Sequence, residues 1–205
     1  MKTKNSTKKV SASVQKKEVI GIMGAQGSFS EEAARTYTEK AGITAFELRY
    51  LINAEPVLAA LEAGEITLAI FPIENNNGGI VQEAVEAMSG HNFVIQKIFD
   101  IPIHHNLLII KGTKKEEVKR IASHDQALKQ CRMYLKRFWP KATLEVYSDT
   151  AKAAADLAKG KFPKGTAVIA PRAAAKLYKL DILEESIQDL KWNYTSFIAA
   201  TKRKG

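Results

Sequence analysis

A single cysteine in 205 residues, Cys131, rules out an intramolecular disulfide framework and leaves a buried thiol as its expected role. No stretch approaches the roughly 18 uninterrupted apolar residues that a membrane-spanning helix needs. The lysine-rich start also lacks the apolar segment of a secretory signal. We therefore expect a cytoplasmic protein with no membrane partner. A Gly-x-Ser-x-Gly elbow, a Walker loop and a dinucleotide fingerprint are all missing, although Gly21 to Gly27 imitates the last without its spacing. Neither the adjacent His104 and His105 nor the isolated Cys131 has zinc-ligand spacing, so no metal site is expected. Acidic residues are absent from residues 1–17, which hold six lysines, and the end holds Lys202, Arg203 and Lys204. Removing those nine from the 31 basic residues leaves 22 against 22 acids, so the net charge of +9 resides in the tails. A neutral body argues against a nucleic-acid partner, and the tail, residues 1–17, reads as disordered.

The chain has 45% hydrophobic residues, enough for a substantial core. Apolar runs of strand length alternate with amphipathic stretches of helical length, the pattern of an α/β fold. Strands are expected at 19–23, 45–50, 68–73, 93–110, 120–123, 143–147, 166–170 and 194–201. Helices are expected at 30–40, 55–63, 80–88, 115–119, 125–138, 150–159 and 171–178. Pro171 suits a first helical position, where its missing N–H is not needed.

The stretch from Leu68 to Gly79 carries the most chemistry. A run apolar enough to be a buried strand ends in Glu74, Asn75, Asn76, Asn77, Gly78 and Gly79. A carboxylate after such a run must be hydrogen-bonded or face a solvated cleft. The two glycines would let backbone N–H groups approach a ligand at the start of the 80–88 helix. The same residues also suit a plain turn. Two other helix starts follow strands in the same way, Gly24 to Ser30 and Ser148 to Thr150. Ser28, Thr150 and the neighbouring amides are candidates for holding carboxylates, though such residues also serve as N-caps. Strand ends of an open α/β sheet converge on one crevice, so these turns can share a ligand. Ser123 and Asp125 are cap candidates for the helix that follows, where Gln126 and Gln130 share a face.

Six short motifs, in order, carry a family resemblance. They are Gly24-Ala25-Gln26-Gly27-Ser28-Phe29-Ser30-Glu31, Pro72-Ile73-Glu74-Asn75, Pro102-Ile103-His104-His105, Ser123-His124-Asp125-Gln126-Ala127-Leu128, Thr150-Ala151 with the alanines after it, and Asn193-Tyr194-Thr195-Ser196-Phe197. From about Glu18 to the end the chain resembles the catalytic domain of prephenate dehydratases. The resemblance implies two α/β lobes around a central cleft, as in type II periplasmic binding proteins. Lobe 1 would be 18–101 plus 190–205, and lobe 2 would be 102–189. It implies conversion of prephenate to phenylpyruvate in phenylalanine biosynthesis, a carbon–oxygen lyase reaction with no cofactor. Thr195 would hydrogen-bond the departing hydroxide, and Glu74 and Asn75 would orient the substrate. Ser123 and Gln130 would line the opposite lobe. With Ser28 and Thr150 from the helix starts, and Asn76, Ser196 and Phe197 from the motifs, these form the candidate site.

The sequence departs from the family pattern in three places. Ser196 stands where the family has arginine in Thr-Arg-Phe, Asn76 replaces a Ser or Thr, and Thr67 replaces an acid. Loss of a fixed bidentate cation leaves Arg172 or Lys191 as substitutes. Arogenate dehydration, prephenate decarboxylation and non-catalytic binding of a small anion remain the alternatives, and retention of Thr195 favours dehydration. The sequence ends just after the last motif, from which we expect no ACT domain and no feedback by phenylalanine. Relatives are commonly dimers, which makes a homodimer one candidate assembly, but the oligomeric state stays open because no residue pattern identifies an interface.

Overall fold

A computed structural model describes residues 17–203, so the tail expected at 1–17 lies outside the described residues except for Lys17. The chain builds two mixed sheets. The first has the order β2 (Phe46–Tyr50), β1 (Glu18–Ile22), β3 (Leu68–Asn75), β11 (Tyr194–Lys202), β5 (Phe93–Pro102), with the two-residue β4 (Gly79–Ile80) paired to β3. The second has the order β10 (Asp181–Glu184), β6 (Asn106–Ile109), β9 (Thr166–Ala170), β7 (Arg120–His124), β8 (Thr143–Tyr147).

Each sheet is covered on both faces, which is why its central strands read as unbroken apolar runs. In the first sheet Ala69 and Phe71 pack with α2 (Ala54–Ala63) and α3 (Gln82–Gly90), while Leu68 and Ile70 pack with α1 (Phe29–Ala41). In the second, Ile121 and Ile169 meet α4 (Asp125–Gln130) and α5 (Arg132–Phe138). On its other face Ala122 and Val168 meet α6 (Thr150–Ala158) and α7 (Arg172–Tyr178). The Phe71 and Phe197 side chains are fully buried, each contributing about 1.5–3 kcal/mol relative to exposure.

The apolar stretch expected as one strand at 93–110 is two strands in different sheets. Pro102, which has no N–H to give, closes β5, and the chain then crosses from the first sheet to the second. It returns just before β11, and the two crossings are tied together. Ile103 N–H donates to Asn193 O at 2.8 Å, Ile187 N–H to His105 O at 2.8 Å, and His105 N–H to Gln188 Oε1 at 3.1 Å.

Other boundaries also differ from the expectation. The 125–138 helix breaks at Cys131 because the Asp189 carboxylate accepts the Met133 and Tyr134 N–H groups, both at 2.8 Å, and starts a second helix there. Gly78 and Gly79 do not open a helix. Gly78 N–H closes a turn onto Asn75 O at 3.0 Å, Gly79 takes φ 81° in the β3–β4 hairpin, and α3 begins only at Gln82. Pro171 is the N-cap of α7 rather than its first helical residue. The expected 115–119 helix is a 3-10 turn, Lys115–Glu117, and the short strand β10 was not anticipated.

Candidate active site

Where the strand ends meet, Asn75, Gln130, Thr150, Thr195 and Phe197 line one cavity of about 230 Å³ together with Phe29, His105, His124 and Gln126. A second cavity, about 560 Å³, adjoins it through His124 and Thr150 and is bordered by Gly24, Lys152 and Tyr178. The converging turns thus form a cleft of the size small ligands use.

A β-bulge sets which side chain enters it. Between β3 and β11 the register runs Thr195 to Asn75 and Ser196 to Glu74, then Phe197 to Pro72, leaving Ile73 unmatched. Strict alternation would place Glu74 on the face of Pro72. The extra residue rephases the strand, so Asn75 joins Pro72 at the cavity and Glu74 turns to the opposite, exposed face.

The cavity's polar wall is a chain of carboxamides whose directions are fixed by main-chain groups. Asn77 N–H donates to Asn75 Oδ1 at 3.0 Å, and Asn75 Nδ2 donates to Tyr194 O at 2.9 Å. With its two ends so assigned, Asn75 Nδ2 also donates to Asn193 Oδ1 and Thr195 Oγ1, each at 2.9 Å. Gln130 Nε2 donates to Asn75 Oδ1 at 3.0 Å. Its Oε1 then accepts from Asn193 Nδ2 and His105 Nε2, both at 2.8 Å. Thr195 Oγ1 is an acceptor in this chain, so its proton is free for a ligand. Burial lowers the His105 pKa to about 4, so its ring is neutral at pH 7.

The other candidates lie elsewhere. Ser123, in β7, is completely buried and its hydroxyl donates to Ile169 O of the neighbouring β9 at 2.7 Å, within the second sheet rather than at the cleft. His124 Nδ1, not Ser123 or Asp125, accepts from Gln126 N–H at the start of α4, at 3.3 Å. Ser28 is the buried N-cap of α1, accepting from Glu31 N–H. Asn76 ties the hairpin to the returning chain, donating to Trp192 O and accepting from Tyr194 N–H, both at 2.8 Å. Ser196 shares the outer face with Glu74 and donates to Asp100 Oδ1 at 2.6 Å. Arg172 pairs with Glu185 at 2.6 Å beside a neighbouring cavity of about 260 Å³, which also holds Glu32. Burial pushes the Glu32 carboxyl up, and His104 pulls it partly back. Lys191 lines none of these cavities.

The prephenate dehydratase family model matches residues 20–205. The chain belongs to that family. A prephenate dehydratase of Lactococcus lactis subsp. cremoris is 34% identical over 189 residues, covering 90% of this chain and 64% of the relative. Arogenate dehydratase 5 of Arabidopsis thaliana, a chloroplastic protein, is 33% identical over 180 residues, covering 87% of this chain and 41% of that one. The chain thus spans less than two thirds of these relatives. The crystal structure of an Arthrobacter aurescens prephenate dehydratase in complex with L-Phe superposes with TM-score 0.82 at 28% identity, covering 91% of this chain and 60% of the other. A periplasmic substrate-binding protein of an ABC transporter from Coxiella burnetii shares the fold at TM-score 0.50 and 15% identity, covering 91% and 85%. The α/β fold of two sheets is therefore the prephenate dehydratase fold, and a periplasmic substrate-binding protein shares it.

Sequence reasoning on this prephenate dehydratase domain did not assign a role to His105 or Asn193, although both stand in its motifs. The signal available for each was a polar residue inside an apolar or aromatic stretch. His105 is 4% exposed and Asn193 1%, and buried polar groups of this kind need partners.

Proposed function

We propose that this chain is a dehydratase that converts prephenate to phenylpyruvate, carbon dioxide and water. The observation that carries the reading is the Thr195 hydroxyl, which accepts from a backbone-pinned Asn75 and so keeps its own proton for the cavity. In the reaction the bond from ring to carboxylate breaks and its electron pair enters the ring. The bond from ring to hydroxyl then breaks, and the departing hydroxide takes up a proton and leaves as water. A threonine hydroxyl is a poor acid, so Thr195 supplies a hydrogen bond to the leaving oxygen while solvent supplies the net proton. Aromatisation drives the step, which leaves the protein mainly to orient the dianion. In this reading the start of α6 with Thr150, together with Lys152 and His124 in the adjoining cavity, holds a carboxylate. Glu74 acts only through the outer face, so orientation falls to Asn75 and Gln130. The reading extends to a cytoplasmic location and a homodimer, which cell fractionation and sedimentation would test.

Arogenate carries an ammonium where prephenate has a keto group, and relatives named arogenate dehydratases make it the second substrate to assay. The test is incubation with prephenate at neutral pH and identification of the product by mass spectrometry beside a no-enzyme control. Phenylpyruvate above background supports the proposal. A product that has lost carbon dioxide but kept the hydroxyl indicates a decarboxylase, and unchanged prephenate and arogenate indicate a binding protein.

A further inference from the structure

We propose that His105 is a positioning residue, whose Nε2–H holds the Gln130 carboxamide with its Nε2 donating to Asn75 Oδ1, so that Gln130 joins the two main-chain groups that keep Asn75 donating to Thr195. The inference rests on the dehydratase reading for its effect on turnover and on geometry alone for its tautomer. Asn75 is pinned by two main-chain groups, Asn77 N–H and Tyr194 O. Because Asn75 Oδ1 must accept, Gln130 must present Nε2 to it, at 3.0 Å, and turn Oε1 toward His105. His105 Nε2, 2.8 Å from that oxygen, therefore carries the ring proton. The other nitrogen, Nδ1, is left as a bare acceptor, and it is the one buried side-chain nitrogen or oxygen without a partner among the described residues.

An orphaned buried acceptor is costly, and here the surroundings impose it. The His105 main chain is fixed on both sides, N–H to Gln188 Oε1 and O from Ile187 N–H, and its ring meets Phe29 edge-on at 5.6 Å. The ring lines the cavity and is 4% exposed, so water has little access to supply the missing partner. The tautomer is thus set from the Gln130 side.

Two experiments test this. Imidazole ¹⁵N NMR of the folded wild-type chain should show His105 neutral and protonated at Nε2 at pH 7. Protonation at Nδ1 would overturn the proposal, and this measurement needs no turnover. In steady-state kinetics on prephenate, His105→Phe, which fills the site but donates nothing, should lower kcat at least tenfold with KM changed less than about threefold. His105→Gln, whose amide can stand in for Nε2–H, should recover most of kcat. Equal losses in both variants with the same drop in Tm, or a His105→Phe kcat within twofold of wild type, would overturn it. A wild-type chain that fails to turn over prephenate would instead refute the dehydratase reading, leaving the NMR result to stand alone.

Discussion

Replacing Asn75 by aspartate changes one nitrogen to oxygen and reverses a hydrogen bond at the centre of the cleft. In the wild type the two protons on Nδ2 serve Asn193 Oδ1, Tyr194 O and Thr195 Oγ1, each at 2.9 Å. In Asn75→Asp a carboxylate oxygen would face two carbonyl oxygens at that separation, and Thr195 would turn its proton toward the carboxylate. An unmade bond to a buried group costs about 1–3 kcal/mol. With two such losses, moderated by solvent at the exposed Tyr194, the variant should be about 2–4 kcal/mol less stable. At about 2–4 °C per kcal/mol for a chain of this size, Tm should fall by about 4–16 °C. The larger effect is on turnover. Withdrawal of one preorganised donor from the leaving oxygen should lower kcat about 10²–10³-fold, and the added charge should raise KM for the dianion. Asn75→Ala is the control, since it removes the amide but leaves the Thr195 proton free, so it should lose less kcat than Asn75→Asp. Steady-state assays of phenylpyruvate formation with thermal melts give both numbers. An Asn75→Asp kcat equal to or above that of Asn75→Ala would refute the reasoning.

Ser196→Arg places a cation on the outer face beside Asp100 and Glu74, where a surface ion pair is worth about 0–1 kcal/mol. Its kcat and KM on prephenate should stay within about twofold of wild type, and a tenfold fall in KM would show that position 196 does reach the substrate. His91 joins Glu62 at 2.7 Å and Glu55 at 2.9 Å, and these carboxylates raise its pKa by hydrogen bonding. A raised folded value means that the clamp stabilises fully below the unfolded value near 6.5 and fades as pH rises through the folded one. Because both glutamates are exposed, the contribution should be under about 1 kcal/mol. The Tm gap between wild type and His91→Gln should narrow from pH 6 to pH 9, and a gap that widens would contradict the assignment. Burial pushes the Cys131 thiol up. A disulfide reagent should leave it unmodified in the native protein and label it in urea, and rapid native labelling would contradict the packing.

Apolar runs bounded by Gly and polar turns sufficed to place most strands and helices, because sheets covered on both faces leave long uninterrupted signals. Three features were not legible, and each depends on partners distant in sequence. The break at Cys131 comes from Asp189, and the division of the 93–110 run comes from pairing to two different sheets. The choice of Asn75 over Glu74 comes from a bulge that exists only when β11 lies against β3. Alternation along one strand cannot reveal an extra residue that appears only against its neighbour. Thr195 and Gln130 reach the cavity as the family resemblance implies, and Thr150 as its helix start suggests. Ser28 and Ser123 show the converse, polar residues that stay out of the cleft, one as a buried helix cap and the other donating to a carbonyl within the second sheet. Ser196 lies beside a site residue in sequence and across the sheet from it in space.

The most direct measurement is Thr195→Ala on prephenate, with turnover followed by phenylpyruvate formation and binding followed by calorimetry on the same preparation. If the Thr195 proton serves the leaving hydroxide, kcat should fall at least about 10²-fold while prephenate affinity stays within about threefold of wild type. A variant that forms phenylpyruvate at the wild-type rate would contradict the account.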